Sequence, residues 1–452
     1  MEFDKIISDI SSFVWGYPLL FILIGGGLYL LFVSKFLPFK YFFHAIDIVR
    51  GKFNDKKSDG EISHFQALTT ALSATVGMGN IAGVAVAISI GGPGAIFWMW
   101  VSGIIGMSTK FFTSALAVMY RGLDSAGKKQ GGPMYFIVNG LGKKWFPMAM
   151  FFSFCGMVGA LPVFNVNQLT QAINDIVLKP NGFEVSLFSN AIIGLILIIL
   201  TSIVILGGLK RISRVSARLV PFMVGVYIIS ILAILIVNYN NVPEYLYLIF
   251  YDAFNADYYS GNSALGGVLG ALIILGIRRG AFSNEAGIGM APMAHGAAKT
   301  NNPIKEGFVA MLGPFIDTLM VCTMTALAIL VTGAWKTQAD GVSLTAAAFE
   351  SSFSGIGNYI LLACVFVFSI SSLFSYSYYG TKCLSFIAGD NNKKKYNYIY
   401  IISIMLGATT SLSMMINLID TFFALMAIPT MIATLILAPK VLNELKKYEI
   451  KR

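Results

Sequence analysis

The feature that most limits what this chain can fold into is a series of eleven long apolar segments. A helix that crosses a bilayer needs about 20 mostly apolar residues, and its backbone polar groups must be satisfied within the segment. The segments run approximately over 13–33, 67–90, 95–120, 146–172, 190–208, 219–237, 261–277, 307–332, 359–381, 396–415 and 418–438. They predict an all-α integral membrane protein with about eleven transmembrane helices.

Composition excludes the soluble classes of protein. Of the 452 residues, 56% are hydrophobic and only 12% are charged, whereas a soluble chain carries roughly a quarter of charged residues. A lipid bilayer is therefore the expected environment, and the net charge of +10 does not indicate a nucleic-acid partner. The four cysteines and three histidines are scattered, and no phosphate-binding GxxxxGK[ST] loop occurs. We expect no enzyme activity, no metal beyond a coupling ion and no cofactor.

The distribution of basic residues predicts the orientation in the membrane. Of the 32 Lys and Arg, 28 fall in 34–66, 121–145, 209–218, 278–306, 382–395 and the tail from 439. Basic loops stay in the cytoplasm, which places the N-terminus outside and the C-terminus inside a plasma (inner) membrane. The first apolar segment follows acidic residues and lacks a small-residue cleavage site, so it reads as a retained helix rather than a signal peptide.

The ten segments after the first divide into two sets of five. Because five is odd, two consecutive sets have opposite orientations, which is the arithmetic of an inverted repeat. The predicted organisation is an extra helix and basic loop (1–66), a first repeat (67–238), a second repeat (239–441) and a cytoplasmic tail (442–452).

Each repeat opens with a helix that contains unusual glycines. The first carries V-G-M-G-N, Val76 to Asn80, and the second carries G-G-V-L-G, Gly266 to Gly270. Glycine weakens a helix by about 1 kcal/mol relative to alanine, and broken helices at equivalent positions of two repeats indicate a transporter binding site. Close helix packing through small residues is the alternative explanation.

An unwound helix and a group of hydroxyls supply the expected binding chemistry. Freed backbone carbonyls coordinate a hard cation, and freed amides at a half-helix start accept a carboxylate. Oxygens of Ser73, Thr75, Val76 and Asn80 form a candidate cation set, beside amides of residues 77–80. The ninth segment adds S-I-S-S-L-F-S-Y-S-Y-Y-G over 369–380, in which Ser369, Ser372 and Tyr376 share one helix face and Ser371 and Ser375 a neighbouring one. Serines that only bond their own helix backbone are the alternative.

Charged residues inside apolar segments are costly and are usually paired or functional. Asp317 lies about three turns inside its segment, where Lys110, Arg278 or Arg279 would pair with it as an inner gate. Glu285 follows Asn284 in a short loop and is expected to brace that segment. Lys110 can alternatively extend to the cytoplasmic interface.

Six motifs in order resemble the alanine or glycine:cation symporter family. They are S-A-T-V-G-M-G-N-I-A-G-V-A (73–85), G-G-P-M-Y (131–135), G-G-L-K-R-I (207–212), R-G-A-F-S-N-E-A-G-I-G (279–289), F-I-D-T-L-M-V-C-T-M-T-A-L (315–327) and S-Y-Y-G (377–380). The resemblance covers about residues 15 to 440 and implies a leucine-transporter-type fold with a 5+5 inverted repeat. It also implies sodium coupling and small neutral amino acids as substrates.

The resemblance also assigns roles to individual residues. It implies a sodium site formed by Ser73, Val76, Ser371 and Ser372. It implies a substrate site formed by Gly77, Met78, Gly79, Asn80, Gln168, Gly266, Gly267, Gly270 and Tyr376, in which the amides of Gly77 and Gly79 hold the carboxylate. Asn165 belongs with Gln168 to the family's N-x-x-Q. The intramembrane charges, and not the resemblance, make Asp317, Lys110 and Arg279 the expected gating residues, with a contribution of Asp317 to coupling as the alternative.

The chain departs from the family pattern at five positions. The family usually has Thr at Met78, Trp at Tyr376, Gly at Phe164 and Glu at Thr113 and Thr381. Met78 and Tyr376 fall where the pocket is expected, so the departures bear on specificity. The expected function is a sodium-coupled importer of small neutral amino acids that works by alternating access. The alternatives are an amino-acid sensor on the same scaffold and a proton-coupled carrier of a different small amino acid; the sequence predicts no oligomeric state.

Overall fold

The computed structural model describes residues 2–53, 58–255, 265–337, 339, 341–410 and 413–451, and it is almost entirely helical. The first half contains α1 Glu2–Val14, α2 Tyr17–Leu20, α3 Gly26–Val33, α4 Leu37–Lys40, α5 Phe42–Val49, α6 His64–Thr75, α7 Val84–Gly91, α8 Gly94–Met119, α9 Pro133–Phe136, α10 Phe146–Gly159, α11 Val163–Ile173, α12 Leu187–Ile205 and α13 Gly208–Val237. The second half contains α14 Val242–Asn255, α15 Leu265–Asn284, α16 Ala291–His295, α17 Pro303–Pro314, α18 Thr323–Val331, α19 Gly341–Ser352, α20 Gly357–Ala388, α21 Lys393–Thr409, α22 Ser413–Leu425 and α23 Ala427–Lys451.

Short irregular elements join these helices. Turns of π-helix lie at Phe21–Gly25, Gly79–Gly83, Ile137–Leu141, Asn174–Leu178 and Phe315–Cys322. Turns of 3₁₀-helix lie at Lys143–Trp145, Tyr239–Asn241, Ala334–Lys336 and Asp390–Asn392. The strands β1 (Gly122–Leu123) and β2 (Lys129–Gln130) form a small antiparallel hairpin in a basic loop. Most π-turns continue a helix with one local bulge, a feature that is frequent near functional sites.

The described residues contain eight helical spans that are long and apolar enough to cross a membrane, or nine if a bent pair is counted as one. The bent pair is His64–Thr75 with Gly79–Gly91, whose axes differ by 56°. Two further predicted spans correspond to α15, with 20 residues, and α21, with 17. The multi-spanning helical architecture is confirmed, and the count of eleven stays a prediction.

Local sequence signals fix where the helices around the centre begin. Ser63 caps α6 by accepting from the Gln66 amide, and Gln66 reciprocates to the Ser63 amide in a capping box. Asn302 caps α17 by accepting from two amides of its first turn, and Pro303 follows at the first helical position. Both helices therefore start at defined points on the side that carries the basic loops.

The helix α15 ends later than the sequence predicted. Its apolar segment was expected to end at 277, but the helix continues to Asn284 and includes Arg278 and Arg279. Arginine is a good helix former, and its long stem packs on apolar neighbours; the Arg278 guanidinium lies 5.8 Å from the centre of the Trp15 ring. These two arginines therefore belong to the span and not to the cytoplasmic loop in which they were counted.

The helix α8 forms the centre of the packing and contacts α15, α17 and α14. Small residues permit the closest of these approaches. A Cβ at Gly276 would lie 2.6 Å from Trp98 Cβ, and one at Gly280 would lie 2.8 Å from Ser102 Cβ. The spacing of four residues puts both glycines on one face of α15, so this helix packs on α8 through a small-residue stripe. On the other side of the molecule α6, α13 and α20 pack together.

Candidate functional site

The first broken helix is interrupted at Val76–Met78. The helix α6 ends at Thr75, the following Val76 is extended with φ of −74° and ψ of 95°, and the chain becomes helical again at Gly79. Asn80 Oδ1 accepts from the Gly77 amide at 2.8 Å, so the Asn80 side chain closes the break. The Gly77 amide was expected to hold the substrate carboxylate, but this bond already uses it. The amides of Met78 and Gly79 begin the second half-helix, where amides lack acceptors within the helix.

The second broken helix is interrupted at 285–290, between α15 and α16. It was expected near Gly266 to Gly270, but α15 runs through those positions without a break, and the surroundings of Gly266 and Gly267 lie outside the described part. Glycine weakens a helix without ending it. The chain turns instead where Glu285, Gly287 and Gly289 adopt φ values of 55°, 88° and 109°. Glycine takes such values without steric cost, and a glutamate does not.

A buried carboxylate connects the two broken helices. Asp317, which is fully buried, accepts from Asn80 Nδ2 at 2.7 Å and from the hydroxyls of Ser283 and Thr318 at 2.8 Å each. Both of its oxygens are therefore occupied by neutral donors. Asn80 belongs to the first broken helix and Ser283 to the second, so Asp317 holds them together.

The predicted inner gate is not assembled in this conformation. Among the described residues, Asp317 forms no ion pair with Lys110 or Arg279. Lys110 is buried on α8 and interacts electrostatically with Glu285 and with Asp317. Arg279 lies on the side of the site away from the basic loops and interacts electrostatically with Asp420.

The predicted cation set is partly brought together between α6 and α20. Ser371 Oγ lies 3.3 Å from the Ser73 carbonyl oxygen, and Ser372 Oγ lies 3.4 Å from the Ala74 carbonyl oxygen. Both hydroxyls also donate to the Phe368 carbonyl of their own helix. Hydroxyl and carbonyl oxygens are the ligands that hard cations prefer, so these groups fit a sodium ion.

Further hydroxyls extend this contact towards α13. Ser216 Oγ donates to Ser73 Oγ at 3.2 Å, Ser375 Oγ donates to the Thr70 carbonyl at 2.8 Å, and Ser73 and Ser375 share a hydrogen bond. The first broken helix is thus tied by hydroxyls to two other helices beside the candidate cation ligands.

An open vestibule and a smaller cavity lie one behind the other at the two breaks. The outer vestibule, about 640 Å³, extends between α7, α11, α15 and α19 on the side opposite the basic loops. The central cavity, about 40 Å³, is bounded by Gly77 to Gly79, by α11, by Ser283 and Glu285, by Tyr376 and by α22. Phe164 and Phe282 border both spaces, with ring centroids 6.1 Å apart at 86°. This edge-to-face pair separates the cavity from the vestibule.

The structure places the remaining predicted residues in different parts of this path. Met78 and Gly79 border both spaces, Tyr376 borders the central cavity, and Gln168 borders the vestibule. Asn165 faces the cavity, so it lies closer to the breaks than Gln168 does. Gly270 borders neither of these two spaces.

Sequence reasoning missed several residues of the central cavity, of which three bear most on its chemistry. Phe282 and Glu285 belong to the F-S-N-E-A-G string, which was recognised as specific but was read as a cytoplasmic loop. Tyr376 donates to Glu285 Oε1 at 2.6 Å, so this carboxylate faces the pocket side of α20. Asp420, on α22, had no local signal because a single acid in an apolar segment does not reveal which neighbour it faces.

The side that carries the basic loops is closed by polar contacts. Glu306 accepts from Nδ1 of His295 at 2.6 Å and also binds Nδ1 of His64, and all three side chains are buried. Arg121 donates to the carbonyl oxygens of Gly296 and Thr300 at 2.8 and 2.7 Å. These contacts link the start of α6 to α16, α17 and the loop between them.

An exposed ion pair lies at the rim of this closed side. Lys129, on β2, donates to Asp59 at 2.6 Å, and this hydrogen bond holds the pKa of that carboxyl below its usual range. The pair is solvated on both sides, so its contribution to stability is small.

Two broken helices joined at their breaks, a hydroxyl and carbonyl cluster beside the first, and a cavity below a one-sided vestibule define a secondary transporter of the leucine-transporter type. The fold matches the crystal structure of MhsT in complex with L-phenylalanine, with a TM-score of 0.58 and 12% identity over 82% of this chain and 89% of that one. The chain belongs to the sodium:alanine symporter family, whose family model matches residues 1–452. It is a transporter and not an enzyme.

Curated relatives cover the chain from end to end. The sodium/alanine symporter AgcS of Methanococcus maripaludis is 39% identical over 100% of this chain and 99% of its own length. The amino-acid carrier protein AlsT of Bacillus subtilis is 33% identical over 100% and 93%. The probable sodium/glutamine symporter GlnT of Bacillus subtilis is 35% identical over 98% and 90%. The chain is accordingly a membrane-embedded amino-acid symporter.

Proposed function

We propose that this protein is a sodium-coupled importer of small neutral amino acids, of the alanine or glycine type, in the plasma membrane. The observation that carries the proposal is the meeting of Ser371 and Ser372 with the carbonyls at the end of α6, next to the central cavity. An ion bound there contacts both helix groups, so it favours the conformation in which they meet. That differential binding is what coupling requires.

The size of the central cavity favours small substrates. The volume of about 40 Å³ counts only the space that the centre of a water molecule can reach, of which one water needs about 10 to 15 Å³. The cavity therefore holds about three waters. Three waters occupy about 90 Å³ of liquid, which is the space of a two- or three-carbon amino acid. Phe164, Phe282 and Tyr376 leave little room for a longer side chain in this conformation.

The start of the second half-helix offers a partner for the carboxylate end of an amino acid. The amides of Met78 and Gly79 start the half-helix that continues into α7, and the positive end of a helix dipole attracts a carboxylate.

The vestibule opens away from the basic loops, so the positive-inside rule makes this conformation outward-facing, with the N-terminus outside and the C-terminus in the cytoplasm.

Inward transport then requires the Phe164–Phe282 pair to part while the substrate enters and to meet again behind it, and the contacts around Glu306 and Arg121 to open. The proposed gating residues form two pairs that change partners during these movements. Arg279 and Asp420 act on the outer side, and Asp317 and Lys110 act below the cavity. The driving force is sufficient with one ion. A tenfold sodium gradient and a potential of about 100 mV together concentrate a neutral solute roughly 500-fold.

Uptake of labelled amino acids into proteoliposomes tests this function. The panel contains glycine, both enantiomers of alanine, serine, glutamine and leucine, each with an inward sodium gradient, an inward proton gradient or neither. Accumulation of a small neutral amino acid only with the sodium gradient supports the proposal. Accumulation driven by protons alone favours the proton-coupled carrier, and sodium-dependent binding without uptake favours a sensor.

A further inference from the structure

Glu285 combines deep burial with an unused acceptor. The residue is only 2% exposed, and its Oε1 accepts a hydrogen bond from the Tyr376 hydroxyl at 2.6 Å. Its Oε2 is buried and has no hydrogen-bond partner among the described residues. A buried carboxylate oxygen without a donor is unfavourable, so the described residues leave this acceptor open to a donor from a bound group.

The backbone holds this carboxylate in place. Glu285 follows the last residue of α15 with φ of 55°, a conformation that is unfavourable for a non-glycine residue. Its amide still donates to the Ala281 carbonyl at 3.0 Å, so α15 is capped and the side chain is not needed for that. Strain of this kind persists where the surrounding structure fixes it, and it is concentrated at functional sites.

Glu285 lines the central cavity from the second broken helix, while Met78 and Gly79 line it from the first, at the half-helix start where amides lack acceptors within the helix. An ionised carboxylate only accepts hydrogen bonds, and an ammonium only donates them. The two breaks therefore offer opposite charges to opposite ends of one small molecule. Asp420 borders the same cavity, but two arginines, Arg278 and Arg279, interact electrostatically with it, whereas Lys110 is the cation that interacts with Glu285.

We propose that Glu285 Oε2 receives the ammonium group of the transported amino acid and so restricts the substrates to those with a free amino group. This inference rests on the proposed function and adds a residue and a substrate class to it. Lys110 is the protein's own cation that interacts electrostatically with Glu285, but it forms no ion pair with it among the described residues. It balances part of the charge without filling the acceptor.

The net charge of Lys110, Glu285 and Asp317, beside the breaks, suits the binding of a cation together with a zwitterion. One lysine and two carboxylates, Glu285 and Asp317, carry a net charge of −1 when all are ionised. A zwitterion leaves this sum unchanged, and one sodium ion brings it to zero.

The test measures equilibrium binding of labelled alanine and glycine to the purified protein at saturating sodium. In Glu285→Gln the shape is kept and the charge is removed, and we expect the Kd for alanine to rise about 10- to 100-fold, since charge-assisted hydrogen bonds are roughly twice as strong as neutral ones. Glu285→Asp keeps the charge on a shorter arm and should lie between. Glu184→Gln, on the exposed loop before α12, is the matched control and should leave Kd unchanged.

A second readout separates ammonium recognition from a structural role. Methylating the amine of glycine once, twice and three times removes its donors one at a time, and wild type should lose competition steadily along the series. In Glu285→Gln the ratio between glycine and its trimethylated form should fall at least fivefold, because the variant no longer rewards each donor. A residue that only braces the loop lowers all affinities together and keeps this ratio.

The outcomes distinguish this inference from the proposed function. If wild type takes up no small neutral amino acid, both are overturned. If wild type accumulates alanine while Glu285→Gln binds it with unchanged Kd or an unchanged methylation ratio, only the ammonium assignment is overturned. If Glu285→Gln does not fold, the charge-conserving Glu285→Asp decides, since unchanged Kd in that variant is incompatible with a direct bond to the substrate.

Discussion

The two broken helices solve the same problem by different means. In the first, three residues with ordinary backbone angles interrupt the helix, and Asn80 closes the gap by accepting from the Gly77 amide. In the second, six residues at 285–290 make a wider turn that needs positive φ at Glu285, Gly287 and Gly289. The first break therefore contributes backbone groups to the site, and the second contributes a side chain. Substitutions should separate these two strategies.

The largest effect is expected at Gly289, in the second break. Its φ is 109°, and a Cβ there would lie 2.5 Å from Thr430 Oγ1 and 2.7 Å from a Phe152 ring carbon. Gly289→Ala should therefore lower the free energy of unfolding by about 2 to 4 kcal/mol and abolish uptake. Thermal unfolding in detergent and uptake in proteoliposomes measure the two effects.

The matched control is Gly270→Ala, on α15, where an added Cβ meets nothing within 4 Å. In a helix this change is neutral or stabilising by up to about 1 kcal/mol. A loss of uptake in Gly270→Ala, together with a tolerated Gly289→Ala, would contradict the position of the second break.

The next largest effect is expected at Asn80, which closes the first break and reaches Asp317. Asn80→Ala leaves the Gly77 amide and one Asp317 oxygen short of a partner, at about 1 to 3 kcal/mol for each buried group. We expect a lower melting temperature and at least tenfold slower uptake. Ser283→Ala removes one of two donors to Asp317 Oδ2 and an acceptor of Asn80 Nδ2, but Thr318 still donates to that oxygen and Asn80 keeps Asp317, so it should cost less. An equal loss in the two variants would mean that the helices depend on Asp317 to the same degree.

A more selective effect is expected for the hydroxyls that meet the first helix. The double substitution Ser371→Ala with Ser372→Ala removes two oxygens next to the α6 carbonyls and should raise the sodium concentration for half-maximal uptake about tenfold. Ser369→Ala, on the same helix, is the control, because its Oγ is buried without a hydrogen-bond partner among the described residues. Unchanged sodium dependence in the double variant removes the cation site from this position.

The smallest effect is expected at the cavity wall, where the two breaks face each other. Tyr376→Trp enlarges the wall and removes the hydroxyl that donates to Glu285 Oε1, so the preference between glycine and alanine should shift several-fold. The lost hydrogen bond should lower the free energy of unfolding by about 1 to 3 kcal/mol, which is less than for Asn80→Ala because only one buried group loses its partner. Competition by a panel of amino acids against labelled alanine measures this. A specificity profile identical to that of wild type would place the substrate side chain elsewhere, with Phe164 as the next wall to shorten.

The first break was predictable from sequence and the second was not, for a physical reason. V-G-M-G-N combines two glycines with an asparagine whose amide reaches back three residues, so the signal is local. The glycines of 266–270 look equally disruptive, but α15 continues through them. At the actual break, a side chain at Gly287 would meet Leu23 and Met431, and one at Gly289 would meet Thr430 and Phe152. These neighbours come from distant segments of the chain, so no local pattern shows that the helix turns there.

The candidate site shows the same division. The hydroxyl cluster of α20 was evident from helical spacing, and its contact with α6 agrees with the resemblance to the symporter family. Asp317 was recognised as too deep to be solvated, but its partners were expected to be basic. The fold supplies Asn80, Ser283 and Thr318 instead, because Arg279 extends towards the vestibule and Asp420.

The sequence by itself determined that the chain is a membrane protein with many apolar helices, how its basic residues are distributed and that the helix predicted over 67–90 is interrupted at V-G-M-G-N. These properties depend on apolar length, charge distribution and local glycine chemistry, all of which a single segment carries. Only the tertiary structure decided that the Gly77 amide is already bonded, that Glu285, beside the central cavity, has an oxygen without a partner among the described residues, and that polar contacts join the elements on the side with the basic loops. These properties depend on which distant atoms come within hydrogen-bonding distance, and packing of the whole bundle sets that.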